Sequence, residues 1–254
     1  MPFSDYRTAL VTGASSGIGA AVVERLRREG LEVHALARGA KALQELSERT
    51  GCVPHVLDVT DLKGVTELTK EVAFDIVVNN AGVDRPTPFL KAEAEDIDLL
   101  IDVNLRAVLH VCRLTVPGMV ARDRGHVVNI SSIAGAYNFG GNTSYHATKA
   151  AISMLSRQLR IDVFGRRVRV TEICPGRIAT DIFAHVHGNS PETYARFIEG
   201  FELPQASDVA DAIAFAIAAP VAVNIGHIEI TPTLQVPGGL MTAKPATPAG
   251  DAAS

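Results

Sequence analysis

The chain has 254 residues, 47% hydrophobic and 20% charged, the balance of a soluble globular protein long enough to bury a sizeable core. Its net charge of −4 gives no electrostatic reason to expect nucleic acid or an anionic membrane as a partner. There is no apolar run of about 18 residues, no signal-peptide pattern at the N-terminus, and no disulfide or metal spacing among the three cysteines, so we expect a cytoplasmic protein.

Short β-branched apolar runs alternate with amphipathic stretches at the start of the chain. The predicted strands are Thr8–Thr12, Leu31–Leu36, Val53–Leu57 and Phe74–Val78. The predicted helices between them are Gly17–Gly30, Lys41–Arg49 and a helix capped by Asp61 that runs to Glu71. This order predicts a parallel sheet with helices on both faces.

Two long helices dominate the middle of the chain and are predicted over Ala94–Arg122 and Ser144–Phe164. Three further strands at His126–Ile130, Val168–Ile173 and Ile225–Ile230, with a helix over Ser207–Ala218, complete a seven-stranded, doubly wound α/β sheet. We expect one domain over residues 1–236, including a substrate lid at about 181–201. Residues 237–254, rich in Pro, Gly, Ala and Thr, are expected to form a tail that is flexible or lies on a neighbouring subunit.

A glycine-rich turn stands where the first strand becomes the first helix. Its residues include Gly13, Ser15, Ser16, Gly17, Ile18 and Gly19. Glycines let a backbone approach a pyrophosphate, and the helix N-terminus offers free N–H groups and partial positive charge. The turn could also serve only to pack strand against helix. Its place at the head of the first βα unit favours dinucleotide binding.

The end of the second strand bears on the form of that dinucleotide. An acid about 20 residues beyond the glycines would bind a ribose 2′-hydroxyl and favour NAD. The local sequence instead runs from Ala35 to Gly39 with Arg38 and no acid. Arg38 could clamp a 2′-phosphate, or could be a solvated arginine at the start of a helix. We expect NADP, with NAD as the alternative.

Three motifs together resemble the short-chain dehydrogenase/reductase family: the glycine turn, the segment Asn79–Gly82 and the segment Tyr145–Lys149. The resemblance extends from Arg7 to about Gln235 and implies a single-domain Rossmann fold. Within the family, Val168–Gly176 and Glu229–Val236 are similar to the NADP-dependent group of serine/3-hydroxy acid dehydrogenases and clavulanate-type aldehyde reductases.

The resemblance implies further cofactor contacts. Asp58 and Val59 correspond to the adenine-contacting positions, and Asn80, Ala81 and Gly82 border the adenine ribose. The stretch expected to close over nicotinamide and pyrophosphate contains Pro175, Gly176, Ile178 and Thr180.

The resemblance also implies a catalytic set of Asn104, Ser132, Tyr145 and Lys149. Ser132 stands 13 residues before Tyr145, the family's usual interval, and Ser131 is the less favoured neighbour. Tyr145 and Lys149 are four apart and share one helix face, although such a pair can also be an ordinary amphipathic surface. A phenol with a pKa of about 10 is a poor base at neutral pH, so we expect the Lys149 ammonium to lower it. Ser132 would hold the substrate oxygen, and Asn104 would anchor a water that links Lys149 to solvent.

Substrate contacts are expected in the loops at the carboxyl ends of the strands. The candidates are Asp84, Arg85, Tyr137, Asn138, Phe139 and Arg177. Arg177 or Arg85 could receive an anionic group, which suits a small hydroxy acid; equally, Arg177 could face solvent or pair with Asp181. No metal site is expected, because His185 and His187 have no Cys-rich or carboxylate-rich partners at ligand spacing.

We therefore expect an NADP-dependent oxidoreductase that transfers a hydride between nicotinamide and a small polar alcohol or carbonyl compound. The alternative is a non-catalytic NADP-binding redox sensor on the same fold. Apolar residues on more than one face of the two long helices, together with the family resemblance, predict a homo-oligomer, a tetramer or a dimer.

Overall fold

Seven parallel strands form one sheet in a computed structural model of the chain, which describes residues 3, 5–140, 142–180, 190–192 and 198–245. The strands are β1 (Thr8–Thr12), β2 (Glu32–Ala37), β3 (Val53–Val56), β4 (Ile76–Asn79), β5 (Gly125–Ile130), β6 (Val168–Pro175) and β7 (His227–Ile230). Their order is β3-β2-β1-β4-β5-β6-β7. The order reverses between β1 and β4, and open α/β sheets bind ligands beyond the carboxyl ends of the strands at that point. The predicted doubly wound fold is confirmed.

Helices cover both faces of the sheet. They are α1 (Gly17–Arg28), α2 (Ala40–Thr50), α3 (Leu62–Glu71), α4 (Ala94–Ile101), α5 (Ala107–Ala121), α6 (Thr143–Asp162) and α7 (Ala206–Ala218). Alternate strand residues point to opposite faces, so Val11 joins the core beneath α1, α2 and α7, whereas Leu10 joins the core beneath α3, α5 and α6. These two cores hold the strand ends in a fixed register, and the strand ends carry the site.

The predicted continuous helix Ala94–Arg122 is wrong in one respect. A π-helical turn at Asp102–Arg106 separates α4 from α5, and Asn104 lies within it. A π turn inserts one residue without changing the apolar pattern on either side, so helical periodicity does not reveal it. The other predicted boundaries lie within two residues of the observed ones.

The chain after β7 folds back on itself. The Val236 N–H donates to the Met241 carbonyl at 2.8 Å, and the Ala243 N–H donates to the Leu234 carbonyl at 2.9 Å. Of the predicted lid, only residues 190–192 and 198–201 lie within the described residues, as does the part of the predicted tail up to residue 245. Within the described ranges, no helix combines the length and the apolar character needed to span a bilayer.

Candidate active site

The carboxyl ends of β1, β4, β5 and β6 border a cavity of about 850 Å³. Most residues predicted from sequence for cofactor and catalysis lie in its wall. They are Gly13, Ser15, Ser16, Gly17, Ile18, Arg38, Asp58, Val59, Asn80, Ala81, Gly82, Ser132, Tyr145, Lys149, Pro175, Gly176, Ile178 and Thr180. Gly19 and Asn104 stand outside this described wall, and both have structural contacts described below.

The glycine turn is held in place by the end of β4. Thr12 Oγ1 accepts hydrogen bonds from the Asn80 and Ala81 N–H groups at 3.1 and 3.0 Å. Asn80 Nδ2 donates to the carbonyls of Thr12 and Gly13 at 3.0 and 3.1 Å. A Cβ at Gly19 would lie 2.3 Å from the Gly13 carbonyl oxygen, so Gly19 permits close packing instead of lining the cavity. Asn80 therefore shapes the turn as well as bordering the cavity.

The N-terminus of α1 meets the cavity wall at this turn. Ser16 is its N-cap and, among the described residues, makes no side-chain capping bond. The first-turn N–H groups of a helix have no partners within the helix, and they carry its partial positive charge. This end of the cavity therefore favours an anionic group such as a pyrophosphate.

Arg38 and Asp58 meet at one edge of the cavity. Arg38 Nη1 lies 3.8 Å from Asp58 Oδ2, and the Arg38 side chain is 69% exposed. Burial raises the pKa of Asp58, but hydrogen bonds from Thr60 and the charge of Arg38 outweigh it, so the pKa of Asp58 lies below its usual value. The end of β2 contains no acid, yet β3 brings a carboxylate beside Arg38.

Ser132 and Tyr145 face each other at the other end of the cavity. Ser132 follows β5, and Tyr145 lies in the first turn of α6, where its N–H donates to the N-cap Asn142 at 3.3 Å. The hydroxyls of Ser132 and Tyr145 share a hydrogen bond. Ser131 points elsewhere, because its Oγ donates to the Lys149 carbonyl at 3.0 Å. Of the two serines, Ser132 is the neighbour of Tyr145, as the 13-residue interval predicts.

Lys149 lies one turn beyond Tyr145 and is 5% exposed. Its Nζ donates to the Ile130 carbonyl at 3.0 Å and stands 5.6 Å from the centroid of the Tyr145 ring. Burial lowers the pKa of Lys149 to about 8, while Cys174 and Asp84 act in the opposite direction. The ammonium is therefore held in a place where its charge is costly.

Burial also dominates the titration of Tyr145. It raises the pKa of Tyr145 well above the usual value, Asp84 raises it further, and the hydrogen bond with Ser132 lowers it. The net pKa of Tyr145 therefore lies above its usual value and not below it as expected, because desolvation outweighs the groups that would lower it. As arranged, Tyr145 is a protonated hydroxyl suited to donating a proton.

Asn104 is buried and bonded to the loop after β4. Its Oδ1 accepts from the Val83 N–H at 2.8 Å, and its Nδ2 donates to the Val83 carbonyl at 2.9 Å and to Thr148 Oγ1 at 3.3 Å. A Cβ at Gly82 would lie 3.4 Å from Asn104 Oδ1 and 3.7 Å from Lys149 Nζ. Asn104 thus ties the loop after β4 to α6, and its predicted role with a water stays a prediction.

The substrate candidates divide into two groups. Asp84 and Arg85 line the cavity, and Arg85 Nε pairs with Asp96 at 3.2 Å. The others, which are Tyr137, Asn138, Phe139 and Arg177, lie outside its described wall.

The residues of this second group belong to the loops after β5 and β6, and these loops contact other parts of the chain. The Tyr137 hydroxyl bonds to Glu229, and the Phe139 ring packs on His146 with centroids 4.4 Å apart. The Arg177 guanidinium stacks over Phe201 at 5.1 Å. Tyr137, Asn138 and Arg177 thus lie outside the described cavity wall, and their contact with the substrate stays a prediction. Asp181, His185 and His187 lie outside the described residues.

Several contributors to the site were not singled out from the sequence. Asn142 orients Tyr145, Val83 holds Asn104, and Thr148 bonds to both Asn104 and the Tyr145 carbonyl. Asn142 could have been predicted from the sequence, because asparagine is a preferred N-cap residue and Asn142 stands just before the predicted helix. The contacts of Val83 and Thr148 depend on packing between distant segments and have no local signature.

Comparisons with known proteins agree with this geometry. Residues 7–190 match the profile of the short chain dehydrogenase family. NADP-dependent 3-hydroxy acid dehydrogenase YdfG of Escherichia coli is 35% identical over 244 residues, 91% of this chain and 97% of that protein. An uncharacterized short-chain type dehydrogenase/reductase of Sinorhizobium fredii is 36% identical over 244 residues, 96% of this chain and 98% of that protein.

Solved structures give the same result. The closed form of serine dehydrogenase complexed with NADP+ superposes with a TM-score of 0.87 at 33% identity, covering 94% of this chain and 100% of that chain. Actinorhodin polyketide ketoreductase with NADPH superposes with a TM-score of 0.79 at 27% identity, covering 89% of this chain and 96% of that chain. The chain belongs to the short-chain dehydrogenase/reductase family.

Proposed function

We propose that this oxidoreductase uses NADP to transfer a hydride to or from a small polar alcohol or carbonyl compound, with Tyr145 as the general acid and base. The observation that carries the proposal is one cavity with two ends. The bonded hydroxyls of Ser132 and Tyr145, with Lys149 beside them, lie at one end. The glycine turn lies at the other. A proton-transfer group thereby shares a cavity with a dinucleotide cradle.

The residues present fit NADP. The glycine turn and the N-terminus of α1 would receive the pyrophosphate, and Asp58 would face the adenine. The exposed guanidinium of Arg38 would bind the 2′-phosphate, a pairing that Arg forms in bidentate geometry. Two of the relatives carry NADP in their names or structures, which supports NADP over NAD for this chain.

When bound, the nicotinamide supplies or accepts the hydride. Ser132 holds the substrate oxygen through its hydroxyl. Tyr145 donates its proton to that oxygen during reduction, and the high pKa of Tyr145 keeps the proton in place until then. In oxidation Tyr145 takes the proton back, and the Lys149 ammonium 5.6 Å from the ring stabilises the phenolate.

The substrate class that we favour is a small 3-hydroxy acid. The names of the related 3-hydroxy acid dehydrogenase and serine dehydrogenase support it. Arg85 lines the cavity and would receive the carboxylate, which requires it to exchange its 3.2 Å pairing with Asp96 for the substrate. Aldehydes and neutral ketones remain the alternative substrates.

The test measures nicotinamide absorbance with NADP(H) and NAD(H) over a panel of 3-hydroxy acids, small diols and aldehydes. We expect turnover with NADP that falls at least about a hundredfold in Tyr145→Phe, as for loss of a general acid. Tyr6→Phe is the matched control, because Tyr6 bonds to Arg169 outside the described cavity wall, and it should keep full turnover. Preference for NAD would refute the cofactor assignment. Tight NADP binding without turnover on any panel member would favour the redox sensor.

We also propose that the chain forms a homo-oligomer, a tetramer or a dimer, in the cytoplasm. Apolar side chains on α5 and α6 are exposed, among them Leu109, Met154 and Ile161. Exposed apolar surface of this kind marks contact sites between subunits. Light scattering on the eluted protein tests the proposal, and a monomeric mass at micromolar concentration would contradict it.

A further inference from the structure

A mixed group of ligand-type side chains lies on β6 and β7, behind the catalytic helix. The strand register pairs Glu172 with His227. Cys174 is two residues beyond Glu172, so it points to the same face of the sheet. One candidate ligand atom from each of Glu172, Cys174 and His227 lies within 4.8 Å of the others.

The distances between these atoms suit a metal ion of zinc size. Cys174 Sγ stands 3.1 Å from Glu172 Oε1 and 3.8 Å from His227 Nδ1. His227 Nδ1 stands 3.1 Å from Glu172 Oε2. A tetrahedral zinc ion, with bonds of about 2.3 Å to sulfur and about 2.0 Å to nitrogen, places those two atoms about 3.5 Å apart. Small side-chain adjustments would therefore admit an ion among the three groups.

We propose that Glu172, Cys174 and His227 bind a divalent transition-metal ion of the zinc class, with water as the fourth ligand. Thiolate and imidazole ligands select such ions over magnesium or calcium. On binding, the Cys174 thiol releases its proton to solvent and a metal–sulfur bond forms. Thiolate and carboxylate then balance the double positive charge, so the buried site is neutral overall.

Burial of the three ligands favours a specific site over a surface association. Glu172 and Cys174 are each 1% exposed, whereas the His227 side chain is 46% exposed. The imidazole therefore forms the solvent-facing side through which an ion would enter. The two buried ligands shield the site from water, and the half-exposed histidine leaves a route by which an ion can enter.

Buried hydroxyls already orient the ligands. Ser153 Oγ donates to Glu172 Oε1 and contacts Ser131 Oγ at 3.1 Å. Ser131 Oγ in turn donates to the Lys149 carbonyl at 3.0 Å. Groups that bond to metal ligands in this way fix their orientation and raise metal affinity. The chain of contacts also connects the proposed site to the helix that carries Lys149.

The sequence predicts no metal site because metal-binding motifs are recognised by short spacings between ligand residues along the chain. His227 lies 55 residues after Glu172, outside any ligand motif. Parallel pairing of β6 with β7 brings the two together. The proposal therefore rests on strand register and does not depend on the proposed hydride transfer.

Cobalt(II) is the spectroscopic probe, added to the full chain after dialysis against a chelator. We expect one equivalent of Co²⁺ to give a near-ultraviolet thiolate-to-cobalt charge-transfer band and the visible bands of a tetrahedral ion, both displaced by Zn²⁺. Cys174→Ser should abolish the charge-transfer band. Cys52→Ala and Cys112→Ala, which remove the other two buried cysteines, should retain it.

A second variant guards against misfolding of Cys174→Ser. His227→Asn changes a half-exposed side chain, and it should weaken Co²⁺ binding by about tenfold or more. Absence of a charge-transfer band in the wild-type protein would overturn the proposal. So would a band that persists in folded Cys174→Ser, or a Co²⁺ affinity that is unchanged in folded His227→Asn.

Discussion

Lys149 Nζ donates a 3.0 Å hydrogen bond to the Ile130 carbonyl while it stands 5.6 Å from the centroid of the Tyr145 ring. The fold therefore holds an ammonium near the phenol in the wall of the cavity. Burial lowers the pKa of Lys149 to about 8 and raises that of Tyr145. The pair favours a neutral tyrosine, and the buried cation has a cost in stability.

Lys149→Met should remove turnover and raise the free energy of unfolding of the cofactor-free protein at pH 7. The folded-state pKa of about 8 lies below the reference value of 10.5, so the unfolded chain binds more protons between those pH values. Wild-type stability should consequently rise with pH across that window, and the full penalty is present below pH 8. The lowered pKa of Lys149 corresponds to a penalty of about 3 kcal/mol, and the hydrogen bond to Ile130 that the variant loses contributes about 1 kcal/mol. We therefore expect the free energy of unfolding to increase by about 2 kcal/mol at pH 7.

Urea unfolding at several pH values measures this effect. The advantage of Lys149→Met should shrink as the pH rises from about 8 towards 10.5. Lys70→Met, at an exposed position on α3, is the control and should show no such trend. A Lys149→Met protein less stable than wild type by the same amount at every pH would contradict the argument.

Gly13→Ala should abolish cofactor binding. Gly13 has a φ of +65°, and a Cβ there would lie 2.7 Å from the Ala81 Cα, which is backbone and cannot rotate away. Gly30→Ala is the matched control, because Gly30 has a φ of +87° but no described atom within 4 Å of its added Cβ. Both variants should lose about 1 kcal/mol of stability from the backbone alone. Fluorescence titration with NADPH should separate them, and equal affinities would refute the proposed cradle.

Arg38→Ala should weaken NADPH binding by about 10- to 100-fold, the value of a charge-assisted hydrogen bond of 1.5–3 kcal/mol. Binding of NADH should change little, because it has no 2′-phosphate. Lys41→Ala removes a nearby exposed positive charge on α2 and serves as the control for general electrostatics. The same loss in both variants, or equal losses for NADPH and NADH, would show that Arg38 does not bind the 2′-phosphate.

Asn104→Ala should destabilise the protein by about 2–4 kcal/mol. The change leaves the N–H and carbonyl of the half-buried Val83 without their 2.8 and 2.9 Å partners. Each such loss costs about 1–3 kcal/mol when the group is fully buried, so we expect values in the lower part of that range. Chemical denaturation measures the loss, with the exposed Asn138→Ala as the control. A change below about 0.5 kcal/mol, as for a surface substitution, would mean that the Val83 bonds contribute little.

Local patterns in the sequence were sufficient to predict the helices and strands. They were also sufficient to identify those site residues that lie close together along the chain. Strand β1 and the Asp61 cap of α3 were predicted at their observed positions, because side-chain period and capping are properties of a few neighbouring residues. The same holds for Tyr145 and Lys149, which share a helix face by their spacing of four. The glycine turn was identified because the glycines that permit its backbone conformation follow one another closely in the sequence.

Only the tertiary structure decided the contacts between distant segments. It placed Asp58 beside Arg38, turned Ser131 towards the Lys149 carbonyl, and brought His227 to Glu172 and Cys174. These contacts depend on strand register and on how helices pack over the sheet, and neither leaves a periodic signal in the chain. Burial likewise decided the titration of Tyr145 and Lys149, because desolvation depends on what the whole fold places around a group.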